Sequence, residues 1–136
     1  MTMMAPALMS AGDTRLVLLG THGGPRPNPA RSNPANLLIT GGKPYVIDCG
    51  YGVTRQLMAA GLLLNQVRTI LITHHHSDHT LELGPLIYNA WIAGLREPID
   101  IWVRRYRTSW STASFAPWHT RSAFVSTMKD APTHGS

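Results

Sequence analysis

An α/β fold is predicted by three features of this 136-residue sequence. Short apolar runs alternate with segments of helical spacing. Glycines punctuate nearly every junction between them. The apolar fraction, 43%, is enough for one compact domain of this length. Residues 1–14 read as a flexible N-terminus. The first strand is 15–19 (RLVLL), closed by Gly20. Residues 20–34, dense in Gly, Pro and Asn, form a long loop. Residues 36–40 and 44–48 flank Gly41-Gly42-Lys43, a hairpin signal, and Asp48-Cys49-Gly50 closes the second of these strands.

Val53, Leu57 and Ala60 share one helical face over 53–60, and Gly61 stands where a glycine ends a helix. Residues 69–73 (TILIT) are a buried strand that runs directly into His74-His75-His76. Leu86, Ala90 and Ala93 give 85–93 helical spacing, ended by Gly94, and 99–102 is one more strand. After Trp102 this order dissolves. Residues 103–136 hold 11 Ser or Thr, and no element is assigned there.

Composition excludes several classes. Charged residues are 14% of the chain, too few for a disordered solvating segment. No apolar run approaches the roughly 18–20 residues that span a bilayer, so no membrane partner is expected. Met1–Ser10 lacks a basic segment followed by an apolar core, and the single Cys49 rules out an internal disulfide, so the expected compartment is the cytoplasm. The net charge of +5 is uneven: +1 over 1–102 and +4 over 103–136. The loop 20–24 matches neither phosphate-binding glycine motif, so no nucleotide site is expected.

The chemistry concentrates in 73–80. His74, His76, Asp78 and His79 fit the pattern His-x-His-x-Asp-His. Imidazole and carboxylate are ligands that zinc accepts. If the segment starts extended, His74 and His76 project to one side and His75 to the other. A turn at Ser77-Asp78 then offers Asp78 and His79 to a second ion. The bland alternative is a solvated His-rich turn. Other candidates are weaker: His22 as a solvated loop histidine near the rim, Cys49 as a small buried hydrophobe, Glu82 lining the site or capping the helix that follows it. His119 and His134 sit in no ligand motif.

These residues carry a resemblance. The chain resembles the metallo-β-lactamase fold, and within it the ribonuclease Z and arylsulfatase-like branch. The supporting text is Leu19-Gly20-Thr21 with Gly23-Gly24-Pro25, Asn36-Leu37-Leu38-Ile39, Ile47-Asp48-Cys49-Gly50 and 73–84, so the likeness covers about 15–102. It implies the N-terminal part of a metallo-β-lactamase-type αββα sandwich, incomplete, with an irregular C-terminal tail. It implies two zinc ions, His74 and His76 holding one, Asp78 and His79 the other. Asp48 would lie beneath them and orient a ligand loop; read from the residues alone, it is equally a strand-end Asp accepting backbone hydrogen bonds. The implied activity is metal-dependent hydrolysis, a zinc-activated water attacking a phosphodiester, sulfate ester or related ester in a small molecule or RNA-like substrate.

The family pattern also needs a later His, a bridging Asp and a final His, which the recognisable stretch lacks. We therefore expect a truncated or frameshifted chain of doubtful activity. If one base has been lost just after the Trp102 codon, restoring it makes the next codon Gly and permits Pro after it, the family's usual continuation. The alternative is a non-catalytic metal-binding fragment that associates with another chain through its uncovered sheet, or binds nucleic acid through its basic tail, with Trp102, Trp110 and Trp118 stacking on bases.

Overall fold

The computed structural model describes residues 13–103 and, as a backbone strand alone, 125–130. β1 (Thr14–Gly20), β2 (Ala35–Thr40) and β3 (Lys43–Ile47) form an antiparallel meander. The β2–β3 turn places Gly41 and Gly42 at φ 54° and 73°, a left-handed pair that glycine adopts without strain. α1 (Val53–Ala59) then crosses back to β4 (Thr69–Ile72), which joins β3 in parallel. The single-turn α2 (Ser77–Thr80) and the longer α3 (Leu83–Ile92) lead to β5 (Ile99–Val103), parallel to β4. β6 (Val125–Asp130) extends the parallel part, giving a six-stranded mixed sheet in the order β1-β2-β3-β4-β5-β6.

The alternation along the strands explains which face is covered. Leu37, Val46, Ile70, Ile72, Ile99, Ile101 and Val103 are buried on the face that meets the helices. Val53 and Leu57 of α1 and Leu83, Leu86 and Ala90 of α3 close that core from above. Their spacing is the i, i+3, i+4, i+7 stripe of an amphipathic helix. The opposite face is a different matter on β1, where Leu16 and Leu18 are 58% and 65% exposed.

Most element ends lie within one residue of those expected; one helix start and one strand differ by more. α3 begins at Leu83, two residues before Pro85, because a proline is tolerated in the first turn, where its missing N–H has no helical acceptor to lose. A strand also forms at Val125–Asp130, within the stretch that yielded no element. Strand addition draws on the unpaired backbone groups along the edge of β5, so it does not require a Val/Ile/Leu run. Trp110, Trp118, His119 and His134 lie outside the described residues. Among the described residues no helix is long and apolar enough to cross a membrane.

Candidate metal centre

The site is built at the ends of β3 and β4, where adjacent parallel strands deliver Asp48 and Thr73 side by side. Asp48 takes φ 63°, the left-handed region that Asp tolerates better than most residues. That turn swings its carboxylate under the following loop. The carboxylate is nearly fully buried and accepts from Thr73 N (2.8 Å), Thr73 Oγ1 (3.0 Å to Oδ1, 2.9 Å to Oδ2) and His79 Nδ1 (2.8 Å). Asp48 thus anchors both ends of the 73–79 segment.

The next two residues hold that segment from the other side. Cys49 N donates to His79 O at 2.7 Å, and Glu82 N donates to Cys49 O at 2.9 Å. Gly50 N donates to Pro34 O at 3.1 Å, which ties in the Gly- and Pro-rich loop. That loop reaches the motif directly: Gly24 N donates to Asp78 Oδ2 at 2.9 Å, and Asn33 Nδ2 donates to the carbonyls of Gly24 (2.6 Å) and His22 (3.3 Å). Asn33 is buried and His22 half-buried. Neither the Gly24–Asp78 nor the Asn33–Gly24 bond could be found from the sequence, since they span 54 and 9 residues.

The four motif residues are brought together as two donor pairs. His74 Nε2 lies 3.1 Å from His76 Nδ1. His79 Nε2 lies 3.7 Å from Asp78 Oδ2. The His74 and His79 ring centroids are 4.0 Å apart, so the pairs are neighbours. The extended start of the segment puts His74 and His76 on one side, and His76, with ψ 147°, is still extended where it precedes α2. α2 then carries Asp78 and His79, with Leu81 N donating to Ser77 O (2.9 Å) and Thr80 Oγ1 to His76 O (3.2 Å).

Does this donor set fit a metal ion? Two ligands bonded to one tetrahedral zinc at roughly 2.0–2.2 Å stand about 3.3–3.6 Å apart. The two pairs, at 3.1 and 3.7 Å, bracket that edge length. The donor chemistry and spacing fit two donors to each of two ions. Among the described residues no group of three or more His, Cys, Asp or Glu side chains is gathered to hold one ion. Each pair would therefore supply at most half of a four-coordinate shell.

Two other candidates take definite places. Burial pushes the Cys49 thiol far up from its ordinary range, with the Asp48 and Glu82 charges adding to the effect. It stays a neutral thiol, neither a nucleophile nor a thiolate ligand. Glu82 caps a helix, but α1 rather than the one that follows it. Its Oε1 accepts from Gly52 N (2.7 Å) and its Oε2 from Thr54 N (3.3 Å), satisfying N–H groups at a helix start that has no capping side chain of its own. A cleft of about 730 Å³ lies on the helical side of this cap, lined by Tyr51, Arg55, Met58, Glu82 and Asn89 among others, and none of the four motif residues faces it.

The family model described as Metallo-beta-lactamase superfamily matches residues 29–133. Ribonuclease Z of Mycobacterium sp. (strain KMS) is 37% identical over 86 residues, covering 63% of this chain and 30% of the relative. Ribonuclease Z of Mycolicibacterium gilvum (strain PYR-GCK) is 40% identical over 78 residues, 57% of this chain and 27% of the relative. The chain thus spans under a third of the curated relatives it matches. Among solved structures, the short form of human tRNase Z superposes with a TM-score of 0.69 at 28% identity, covering 87% of this chain and 46% of that one. The metallo-beta-lactamase fold protein YhfI from Bacillus subtilis gives 0.62 at 20% identity over 76% and 42%, which is a likeness of fold.

Proposed function

Because the chain belongs to the metallo-beta-lactamase superfamily, we propose that it is the metal-binding half of a zinc-dependent hydrolase acting on an RNA-like phosphodiester. The observation that supports the reading most is the pair of two-donor sets, His74 with His76 and Asp78 with His79, built side by side on one anchored segment. The two ribonuclease Z relatives at 37% and 40% identity favour a phosphodiester over a sulfate ester.

In this reading His74 Nε2 and His76 Nδ1 hold one zinc ion, and Asp78 Oδ2 and His79 Nε2 hold a second. When bound, zinc supplies Lewis acidity toward the ester oxygen and activates water at neutral pH. The protein's part is to orient. Asp48 accepts from His79 Nδ1, which leaves the opposite nitrogen bare and aimed at Asp78. Gly24 N holds Asp78 Oδ2 at a fixed distance from the Gly-rich loop. Each pair gives two donors among the described residues, so each ion would need further ligands. The proposed compartment is the cytoplasm.

A second reading has its own support. Leu16 and Leu18 present an apolar strip on β1, as a metal-binding chain that pairs with another chain through its sheet would require.

One assay separates them. The full chain is incubated with a bis-aryl phosphate and, separately, an aryl sulfate. Phosphodiester turnover that falls by more than about 100-fold with chelator and in His76→Ala supports the hydrolase. Turnover of the sulfate alone removes the phosphodiester from the proposal. Zinc binding with no turnover, and a dimer that forms with rising concentration, support the second reading.

A further inference from the structure

We propose that Thr73 is a positioning residue whose hydroxyl relays the Asp48 carboxylate to His74 and fixes the imidazole tautomer that leaves His74 Nε2 without a proton. The inference deepens, and rests on, the reading of His74 as a metal ligand.

The proton positions follow from the contacts. Thr73 Oγ1 lies 3.0 and 2.9 Å from the two Asp48 oxygens and 3.1 Å from His74 Nδ1. A carboxylate only accepts, and a hydroxyl has one proton to give. That proton therefore points to Asp48. The hydroxyl lone pairs then face His74, and the 3.1 Å contact is attractive only if His74 Nδ1 carries a hydrogen. The opposite arrangement sends the hydroxyl proton to His74 and sets oxygen lone pairs against both carboxylate oxygens at about 3 Å, a repulsion that a His74 Nε2–H contact to His76 Nδ1 at 3.1 Å does not offset, because that contact is made equally well with the hydrogen on His76.

His79 is set differently. Its Nδ1 reaches Asp48 Oδ2 directly at 2.8 Å, and its distance to Thr73 Oγ1 is a marginal 3.5 Å. One buried carboxylate thus governs two imidazoles, His79 by contact and His74 through a hydroxyl. No proton is gained or lost, and only its place on the ring is decided. A neutral histidine side chain in water prefers the hydrogen on Nε2. Without the relay, His74 reverts to that form and puts a hydrogen on the nitrogen 3.1 Å from His76 Nδ1, where a metal would bind.

Thr73 suits a clean test because it is exposed and its backbone N–H holds Asp48 whatever the side chain. Thr73→Val keeps the shape and removes the hydroxyl. Thr73→Ser keeps the hydroxyl. Long-range ¹H–¹⁵N spectra of the metal-free full chain at about pH 8, above the ordinary imidazole range, read each tautomer. In the wild type and in Thr73→Ser, His74 is expected to carry its hydrogen on Nδ1. In Thr73→Val it moves to Nε2 while His79 stays unchanged, and zinc affinity falls by about tenfold with recovery in Thr73→Ser.

A His74 hydrogen on Nε2 in the wild type, or on Nδ1 in Thr73→Val, overturns the relay. If the tautomers shift as expected but the wild type binds no zinc, the metal reading fails and the relay stands.

Discussion

Replacing Asp48 with Ala is expected to lower the unfolding free energy by about 3 kcal/mol. Hydrogen bonds to charged groups are worth about 1.5–3 kcal/mol each, and removing the acceptor strands the donors. Asp48 accepts from Thr73 N, Thr73 Oγ1 and His79 Nδ1 while nearly fully buried. Alanine at φ 63° adds a left-handed strain of about 1 kcal/mol. Asp48→Asn separates structure from site chemistry. Asparagine tolerates this φ and can still accept from Thr73 N, so about 1 kcal/mol is expected to be lost. Its amide group, however, can present a donor to His79 Nδ1, moving the imidazole hydrogen to the nitrogen that faces Asp78. Zinc affinity is therefore expected to fall about 10–100-fold in a variant that remains folded. Urea unfolding and zinc titration of both variants check these two effects.

Gly50→Ala is expected to cost about 3 kcal/mol as well, for a steric reason. A Cβ on Gly50 would run into the carbonyl oxygen of Asp78 and would stand 2.7 Å from Asn33 Cβ and 2.8 Å from the Asn33 carbonyl carbon. Two of these three atoms are backbone, so no side-chain rotation makes room. Relief requires α2 to move away from β3, and α2 carries Asp78 and His79. The variant should thus lose metal affinity together with stability. Gly84→Ala is the control. A Cβ there meets nothing within 4 Å, and its place in α3 makes alanine neutral or stabilising by up to about 1 kcal/mol. Thermal unfolding of the pair reads the contrast.

The parts of the fold that were legible in the sequence are those with local causes. Gly41 and Gly42 mark the hairpin because their positive φ requires glycine, and Gly61, at φ 86°, marks the end of α1 for the same reason. The buried stripe of α3 announced itself through Leu86 and Ala90. The four residues of the motif were legible because their spacing along an extended segment and a turn already places them in two pairs. Their gathering, by contrast, rests on long-range bonds that no window of sequence contains: Gly24 to Asp78, Asp48 to His79, Glu82 back to Gly52. α2 is one turn long and has no period to detect. Thr73 reads as the last residue of an apolar strand until Asp48 is seen beneath it.

Everything proposed for this site requires His74, His76, Asp78 and His79 to act as metal ligands. Calorimetric titration of the metal-free chain with zinc tests it most directly, run beside His74→Ala, His79→Ala and His75→Ala. Saturable binding is expected in the wild type and in His75→Ala, whose histidine lies outside the ligand pattern. A loss of at least about tenfold in affinity is expected when either ligand histidine is removed. Equal affinity in all four proteins would contradict it.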